Sequence, residues 1–235
     1  MLRDFHSHIL PGIDDGSGSI AESLDMLRRE GAQGISHVVA TPHFYPRYDD
    51  PDHFLARRVE AAEALLRAMP EGERFPKLEL GAEVYYFPGM SESEALSQLT
   101  IGGKQCILIE MPPPPWTEAM YRELERIYTR QNLLPVIAHV DRYISPLRSF
   151  GIPARLEDLP VLVQANAGFF LNRKTAAFAL RLLRAGRIHV LGSDCHNLTD
   201  RPPNLGAAAE VILRHCGQET IARIRDHETD ILSAR

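Results

Sequence analysis

The sequence predicts a mainly parallel α/β fold, and a closed or distorted (β/α)7 barrel of the TIM-barrel type is its simplest form. Apolar strand-like runs alternate along the chain with amphipathic stretches rich in Ala, Leu, Arg and Glu. Alternation of this kind implies parallel strands joined by helices. About seven such units fit the 235 residues, a length common for one barrel. We therefore expect residues 1–235 to form one domain, with a doubly wound open sheet as the alternative.

Short runs rich in Val, Ile and Leu predict the strands. In chain order these are Leu2–Phe5, Ser36–Ala40, Lys77–Val84, Gln105–Met111, Leu134–Ala138, Val161–Ala165 and His189–Gly192. Helical periodicity and capping residues predict the helices. These are Ile20–Glu30, Asp52–Met69, Glu118–Arg130, Lys174–Ala185, Asn204–His215 and a last helix that begins at Gln218. Before the first helix, Ser19 and Glu22 resemble a capping box, and Gly31 is a stop signal.

The composition excludes several classes of protein. Hydrophobic residues make up 44% and charged residues 24%, as in ordinary soluble proteins. No apolar run approaches the roughly 20 residues of a transmembrane segment, and the start lacks the features of a signal peptide. A formal charge of −5 without a basic, aromatic-interleaved stripe argues against nucleic acid as a partner. The three cysteines are too few and too widely spaced for a disulfide framework, so we expect a cytoplasmic location.

Side chains that bind metals follow the predicted strands at the point where each strand ends. Because the carboxyl ends of parallel strands meet on one face of a barrel, these side chains become neighbours. Imidazoles and carboxylates without thiolates suit Mn, Fe or Zn. Each pair alone is weak evidence, since an isolated His-x-His is more often structural. The residues in question are His6, His8, His43, Glu83, Glu110, His139, Asp194 and His196.

A competing signature starts at Cys195. The spacing from Cys195 to Arg201 is the C-x5-R of cysteine-dependent tyrosine phosphatases. That chemistry needs a thiolate and a phosphate cradle of consecutive backbone N–H groups. Here the intervening residues include no glycine, and Pro202 and Pro203 remove two donors. In an extended segment, Cys195 would also point away from the side shared by Asp194 and His196. The metal hypothesis is therefore favoured.

Longer motifs resemble the polymerase-and-histidinol-phosphatase (PHP) superfamily, and within it the CpsB/CapC-type bacterial protein-tyrosine phosphatases. The resemblance spans nearly the whole chain, and its opening motif is the most specific. The motifs are His6–Gly16, Ala40–His43, Gly81–Tyr86, Ala138–Tyr143, and Ser193–Asn197 leading to Asp200–Pro203. The family's fold is a distorted (β/α)7 barrel, the PHP fold.

The resemblance also implies a set of site residues. It implies three divalent ions, usually manganese, with iron or zinc as alternatives. It adds Asp15 to the eight ligands above, although an Asp-Asp-Gly turn explains Asp15 equally well and Asp14 could be exchanged with it. Arg142 and Arg201 match the family's phosphate-binding arginines, with salt bridges to Asp141 or Asp200 as the alternative. The implied reaction is attack of a metal-bridging hydroxide on phosphorus.

The implied substrate is a phosphotyrosine-containing protein, namely the tail of a bacterial tyrosine kinase that controls capsule or exopolysaccharide synthesis. The alternatives are a small-molecule phosphatase of the histidinol-phosphatase type and a non-catalytic PHP module. The sequence leaves undecided whether the chain forms a homo-oligomer through its helices. Aromatic residues next to the predicted ligands could form a wall for a phosphotyrosine ring or belong to the core. They are Phe44, Tyr45, Tyr48, Tyr85 and Tyr86, with a stiff segment at Pro112–Trp116.

Overall fold

The computed structural model describes residues 2–233, which form a mixed α/β fold. Its strands are β1 (Leu2–Ser7), β2 (Ile35–Ala40), β3 (His43–Phe44), β4 (Lys77–Leu80), β5 (Glu83–Tyr85), β6 (Cys106–Glu110), β7 (Leu134–Ile137), β8 (Leu162–Asn166) and β9 (Val190–Gly192). Its α-helices are α1 (Ile20–Ala32), α2 (Pro51–Ala68), α3 (Glu118–Gln131), α4 (Ile152–Glu157), α5 (Ala167–Leu171), α6 (Ala176–Arg184) and α7 (Leu205–Ser233). Short 3-10 turns lie at Met90–Glu92, Glu94–Gln98, Ile101–Gly103 and Val140–Arg142.

The strands form two sheets in which every named pairing is parallel. One sheet has the order β1-β2-β4 and the other has the order β3-β5-β6-β7-β8-β9. The backbone of β1 also meets the segment after β9. The N–H of Asp194 donates to His6 O at 2.7 Å, and the N–H of His8 donates to Cys195 O at 2.9 Å. The predicted parallel α/β class is therefore confirmed.

The predicted strand Lys77–Val84 is wrong as a single element, because the structure divides it into β4 and β5. The division lies opposite Pro42, which separates β2 from β3. Proline has no N–H to donate to the ladder, so the regular pairing stops at that level. Two bonds bridge the gap: the N–H of Gly81 donates to Ala40 O at 2.9 Å, and the N–H of Glu83 donates to Pro42 O at 3.0 Å. As a result, Glu83 begins a strand and does not end one.

Helix α1 begins as predicted, but the rest of the capping box is wrong. Ser19 Oγ accepts the N–H of Glu22 at 3.2 Å, whereas the Glu22 carboxylate accepts the N–H of Gly18 and not that of Ser19. Gly31 does not stop the helix, which ends at Ala32. At the other end of the chain, the two predicted C-terminal helices correspond to α7, which contains a non-helical residue, Gly217, with φ of 79°.

Two clusters of buried apolar residues hold the fold together. The larger one packs the helices against the strands. The smaller one joins side chains from different strands, including Phe5 of β1, Val39 of β2, Leu108 of β6, Val136 of β7 and Val190 of β9. Contacts among these strands leave their polar carboxyl ends together beyond the apolar layer. Within residues 2–233, no helix combines the length and hydropathy needed to cross a bilayer.

Candidate active site

Strand β1 delivers the first two predicted ligands into a buried site. His6 lies in β1 and His8 follows it, and both side chains are fully buried. Their Nε2 atoms lie 3.2 Å apart. Two imidazole nitrogens at that distance share one small region, as a pair of metal ligands would. The i and i+2 spacing therefore brings the two side chains together as expected.

Glu83 is the centre of the cluster. One carboxylate oxygen, Oε2, lies 3.1 Å from His6 Nε2 and 3.0 Å from His43 Nδ1, while Oε1 lies 2.6 Å from His139 Nε2. Burial alone would raise the pKa of Glu83, but the surrounding imidazoles, with His6 foremost, outweigh burial and hold that pKa well below its usual range. Glu83 is therefore an anion at the junction of three strands.

Asp194 and His196 reach the same region through a turn after β9. Asp194 Oδ1 lies 3.6 Å from His6 Nε2 and 3.5 Å from His8 Nε2. The expectation of an extended backbone from Asp194 to His196 is wrong, because Asp194 has φ of 53°. His139 is also left-handed, with φ of 31°. Such conformations are uncommon outside glycine and cluster at functional sites.

The two neighbouring aspartates have different environments. Asp14 is mostly buried, and its Oδ2 lies 2.7 Å from His8 Nδ1. The Asp15 side chain is 66% exposed, and its Oδ1 lies 3.4 Å from both His43 Nε2 and His196 Nε2. Asp15 thus faces two predicted ligands, while Asp14 hydrogen-bonds the outer nitrogen of a third. The geometry favours Asp15 as the ligand and Asp14 as the residue that orients His8.

The two candidate phosphate-binding arginines converge on Asp194. Arg142 Nη2 lies 2.6 Å from Asp194 Oδ2, and Arg201 Nη2 lies 2.6 Å from Asp194 Oδ1. Arg142 Nη1 also lies 3.5 Å from Glu110 Oε1. Neither pairs with the adjacent aspartate that the sequence offered as an alternative. Both guanidinium groups are more than one-third exposed, so they can also contact a bound anion.

Several buried nitrogen and oxygen atoms of the cluster face one another. Among residues 2–233, Glu83 Oε2, His43 Nδ1 and His196 Nε2 have no hydrogen bond of good geometry, although each lies near a polar atom of the cluster. Leaving such atoms unsatisfied costs about 1–3 kcal/mol each. Ligand atoms lie within 4.8 Å of one another in three overlapping groups, which is a donor set that fits divalent cations. The groups are His6–His8–Asp194, His8–Asp15–His43–His196 and His43–Glu83–Glu110.

His139 completes the set of nine, with its Nε2 3.6 Å from Glu110 Oε1 as well as close to Glu83. All nine predicted ligands therefore lie in one connected cluster. Their binding of metal ions stays a prediction.

The geometry excludes the cysteine mechanism. Cys195 is fully buried, and burial, reinforced by the neighbouring carboxyl groups of Glu30 and Asp4, raises the pKa of its thiol well above the ordinary value. The loop that follows is also not a phosphate cradle. Asn197 Oδ1 accepts the N–H groups of Thr199, Asp200 and Arg201 at 3.0, 2.8 and 3.1 Å. These donors are therefore already in use.

Three polar residues around the cluster were not predicted from the sequence. Gln164 Oε1 lies 3.2 Å from His6 Nδ1, Asn166 Nδ2 donates to Asp194 Oδ2 at 2.8 Å, and Asn197 organises the loop that carries Arg201. Asn197 lies in a quoted motif and could have been found there. Gln164 and Asn166 lie in β8 as ordinary polar strand residues, and no local pattern distinguishes them.

The aromatic residues divide between rim and core. Tyr45 stacks on the imidazole of His43 with ring centroids 5.1 Å apart, and its ring lies 5.9 Å from that of Tyr85. Tyr48 is largely exposed, whereas Phe44 and Tyr86 are buried. Tyr45, Tyr48 and Tyr85 are thus available to a ligand, whereas Phe44 and Tyr86 belong to the core.

The stiff segment after β6 packs inward. Trp116 Nε1 donates to Pro112 O at 2.8 Å, and the Trp116 ring packs against Tyr143. Tyr143 in turn accepts the N–H of Met111 at 2.9 Å and lies beside His139. This segment therefore supports one wall of the site.

The fold and the site together define a class: α/β enzymes whose active site lies at the carboxyl ends of parallel strands. The particular family follows from comparison with known proteins. The chain belongs to the CpsB/CapC family of capsular polysaccharide synthesis, whose model matches residues 2–232. The family resemblance drawn from the sequence motifs is therefore confirmed.

Curated relatives cover most of the chain. The tyrosine-protein phosphatase YwqE of Bacillus subtilis is 29% identical over 93% of this chain and 86% of its own length. The tyrosine-protein phosphatase CpsB of Streptococcus agalactiae is 28% identical over 93% of this chain and 92% of its own length. A putative tyrosine-protein phosphatase CapC of Staphylococcus aureus is 26% identical over 86% of this chain and 79% of its own length.

Solved structures agree with these relatives. A structure from work on YwqE of Bacillus subtilis and CpsB of Streptococcus pneumoniae, described as unique metal-dependent tyrosine phosphatases, matches with a TM-score of 0.85 and 27% identity. The match covers 98% of this chain and 94% of that one. A mutant organophosphorus hydrolase matches with a TM-score of 0.51 and 16% identity. The match covers 96% of this chain and 91% of that one, and it shows a shared overall fold alone.

Proposed function

We propose that the protein is a metal-dependent protein-tyrosine phosphatase that hydrolyses phosphotyrosine on a protein substrate. One observation carries the proposal: nine imidazole and carboxylate side chains meet in one cluster beside two partly exposed arginines. The names of the curated relatives, and the solved structure from work on YwqE and CpsB, support the same activity for this chain. A non-catalytic module would have no need for a complete donor set next to an anion-binding pair.

The proposed scaffold is the distorted (β/α)7 barrel of the PHP fold. Two features support closure of the strands into a ring. The bridge between Ser7 and Cys195 joins the carboxyl end of β1 to the segment after β9. In addition, the smaller apolar cluster contains side chains from β1, β2, β6, β7 and β9, together with Ile231 of α7. Side chains of such distant strands touch when they fill the interior of a barrel.

The proposed cofactor is a set of three divalent ions, which are Mn²⁺ by the family resemblance, with iron or zinc as alternatives. The residues that would hold them are His6, His8, Asp15, His43, Glu83, Glu110, His139, Asp194 and His196. When bound, such ions lower the pKa of water from ~15.7 to about 7 and withdraw charge from phosphoryl oxygens. Burial, with nearby His8 and Arg201, lowers the pKa of His196 to about 4. Its imidazole is therefore neutral, the form that binds metals.

The two arginines would bind the phosphoryl group of the substrate. Each guanidinium presents a planar fork of N–H donors that matches two phosphate oxygens. Arg142 and Arg201 already converge from two different loops on one carboxylate, Asp194, so an anion beside Asp194 would be within reach of both. Negative charge that grows on the equatorial oxygens during the reaction would be stabilised by the same contacts.

Tyrosine specificity is assigned to the aromatic rim. Tyr45 lies over the imidazole of His43, with Tyr85 beside it, so an aromatic face borders the predicted ligands. A phosphotyrosine ring is long enough to place its phosphoryl group at the cluster while its ring packs on such a face. A phosphoserine side chain is shorter and offers no ring. The rim therefore favours the tyrosyl ester.

The proposed substrate is the phosphotyrosine tail of a bacterial tyrosine kinase in capsule or exopolysaccharide synthesis. The family description supports the link to capsular polysaccharide. The three cysteines are unpaired, which fits the reducing cytoplasm where such a kinase tail would be found.

A comparison of substrates tests the proposal. The purified chain, supplied with Mn²⁺, should release phosphate from phosphotyrosyl peptides at a kcat/KM at least tenfold above that for phosphoseryl peptides and for histidinol phosphate. Arg142→Ala serves as the inactive control on the same peptides. Preference for histidinol phosphate would replace the proposal by a small-molecule phosphatase. Absence of any hydrolysis, with Mn²⁺ bound, would replace it by a non-catalytic module.

A further inference from the structure

Strand β8 differs from its neighbours in what it places at its carboxyl end. Strands β1, β3, β5, β6 and the segments after β7 and β9 each supply a predicted metal ligand. Strand β8 instead supplies two amides, Gln164 and Asn166. The spacing of two residues puts both side chains on one face of the strand, the face toward the cluster. Gln164 is fully buried, so its polar atoms must find partners within the protein.

The contacts of Gln164 fix its own orientation and the tautomer of His6. The backbone N–H of His139 lies 2.5 Å from Gln164 Oε1 and can only donate, so the atom that faces it must be the amide oxygen. The same oxygen lies 3.2 Å from His6 Nδ1. Because an amide oxygen accepts and does not donate, His6 Nδ1 must carry the hydrogen. The other nitrogen, Nε2, faces Glu83 and Asp194 and is the atom left to bind a metal ion.

The chain of hydrogen bonds continues to a second predicted ligand. Gln164 Nε2 donates to Asn166 Oδ1 at 3.0 Å, and Asn166 Nδ2 donates to Asp194 Oδ2 at 2.8 Å. Asn166 is itself anchored, since its backbone N–H donates to Asp141 Oδ1 at 2.9 Å. Each of the two amides accepts a hydrogen bond with its oxygen and donates one with its nitrogen, so the successive bonds are compatible with one another. The series therefore runs without a break from the His6 imidazole to the Asp194 carboxylate.

Close packing around this series depends on Gly192. A Cβ at Gly192 would lie 2.5 Å from His6 Cβ and 2.8 Å from Gln164 Nε2. Both distances are shorter than real contacts, so any side chain there would push His6 and Gln164 apart. The absence of a side chain at this point of β9 is what permits the His6–Gln164 contact.

We propose that Gln164 and Asn166 are positioning residues that set the His6 tautomer and the Asp194 orientation for metal binding. The inference rests on the proposed function, because it assigns these two amides to the same metal site. Groups that orient metal ligands change metal affinity by about 10–100-fold when they are lost. The side-chain hydrogen bonds of the two amides go to the predicted ligands His6 and Asp194, to the backbone of His139 and to each other.

Three variants separate the parts of the series. Gln164→Leu removes all three hydrogen bonds of the side chain, to His6, His139 and Asn166. Gln164→Glu keeps an oxygen acceptor for His6 and His139 but loses the donor to Asn166. Asn166→Ala keeps the His6 contact and loses the donor to Asp194. Gln131→Leu is the matched control, because the Gln131 amide is also held by hydrogen bonds within the protein, to the carbonyls of Ser91 and Ser93, but contacts no predicted ligand.

Two measurements decide the outcome. Calorimetric titration of the chelator-stripped full chain with Mn²⁺ should show affinity about 10–100-fold weaker in Gln164→Leu and unchanged in Gln131→Leu. Nitrogen-15 NMR of the metal-free chain at alkaline pH should show His6 protonated at Nδ1 in the wild type, in Gln164→Glu and in Asn166→Ala. A mixture of tautomers is expected in Gln164→Leu.

Wild-type affinity in Gln164→Leu, or weaker affinity with an unchanged His6 tautomer, would overturn the proposal. Should Gln164→Leu fail to fold, Asn166→Ala decides, since it must bind Mn²⁺ more weakly than wild type while His6 keeps its tautomer. If the wild type bound no Mn²⁺, the proposed function would fail. The NMR comparison would still decide the role of Gln164, so the two failures are distinguishable.

Discussion

Asp14 Oδ2 lies 2.7 Å from Nδ1 of His8, on the side of the imidazole that faces away from the cluster. The same oxygen accepts the backbone N–H of His43 at 3.0 Å. Burial opposes ionisation of both partners, but hydrogen bonds and charge attraction outweigh burial, from Asp14 and Glu83 on His8 and from His8 on Asp14. They raise the pKa of His8 to about 10 and lower that of Asp14 to about 2. Asp14 therefore directs His8 Nε2 at the site, while Asp15 faces His43 and His196 directly.

Substitution of the two aspartates should have separable effects. Asp14→Ala should weaken Mn²⁺ affinity about 10–100-fold and lower the free energy of unfolding of the metal-free chain by about 1–3 kcal/mol, because His8 and the His43 N–H lose a buried partner. Asp15→Ala should reduce the number of ions bound but change that free energy by less than about 0.5 kcal/mol, because its side chain is largely exposed. Titration calorimetry and urea denaturation measure the two effects, with exposed Asp158→Ala as the control.

The reverse pattern, in which Asp15→Ala destabilises the chain and Asp14→Ala lowers the ion count alone, would exchange the two roles.

The arginines should not tolerate lysine. Arg142→Lys and Arg201→Lys keep the positive charge but lose the planar fork, so kcat/KM for a phosphotyrosyl peptide should fall about 10²–10³-fold in each. The Mn²⁺ content should stay at the wild-type level. Arg155→Lys is the matched control, because Arg155 pairs with Glu118 on the exposed surface. Retention of activity in both site variants would show that charge alone is sufficient and would contradict bidentate binding.

The sequence predicts those site residues that lie at the ends of apolar, strand-like runs. His6, His43 and Glu110 follow or end apolar runs, and parallel topology brings such positions together. Asp15 depended on the family resemblance, because an Asp-Asp-Gly segment also forms a turn without any ligand. Local pattern therefore identified the ligands that lie in or directly after the strands, and it missed Asp15, which lies further along the loop after β1.

Other features depend on the tertiary structure and could not be predicted. Gln164 acts through the backbone of His139 and the ring of His6, which lie 25 and 158 residues away in the sequence. The left-handed backbone of Asp194 accompanies a hydrogen bond from its N–H to His6 O in β1, which is distant in the sequence. The division between β4 and β5 lies opposite Pro42, which is between β2 and β3 and distant in the sequence. In each case the cause is a neighbour in space that the local sequence does not contain.

Cys195→Ser should leave the phosphatase activity within about threefold of wild type, because the buried thiol is not the nucleophile. Iodoacetamide at neutral pH should likewise fail to inactivate the wild type, since a thiol with a raised pKa holds little thiolate. Cys216→Ser, at a partly exposed position, is the matched control. Loss of activity in Cys195→Ser with Mn²⁺ still bound would restore the cysteine mechanism.

Glu228 should make stability depend on pH. Its carboxyl group is fully buried on α7, and burial, partly offset by Arg3, raises its pKa to about 8. A folded-state pKa above the unfolded value near 4.5 means that the folded chain holds a proton that the unfolded chain releases. The contribution of this proton to the free energy of unfolding is fully present below the unfolded pKa and is lost as the pH rises toward 8.

Glu228→Gln should remove this dependence, because its amide does not ionise. Urea denaturation of the metal-free chain at several pH values should show wild-type stability falling by up to ~4 kcal/mol more than that of Glu228→Gln between weakly acidic and weakly alkaline pH. Exposed Glu219→Gln is the control and should follow the wild type. Parallel curves for wild type and Glu228→Gln would contradict a protonated Glu228.

The most direct test of the central claim is metal content and phosphotyrosine hydrolysis measured on the same samples of wild type and Glu83→Gln. Glu83 lies at the centre of the cluster, with His6, His43 and His139 around its two oxygens. Chelation should abolish wild-type hydrolysis, and Mn²⁺ should restore it in proportion to the ions bound. Glu83→Gln should bind fewer ions and lose at least 10²-fold in kcat/KM. Hydrolysis that persists in metal-free wild type, or in Glu83→Gln at the wild-type rate, would contradict the account.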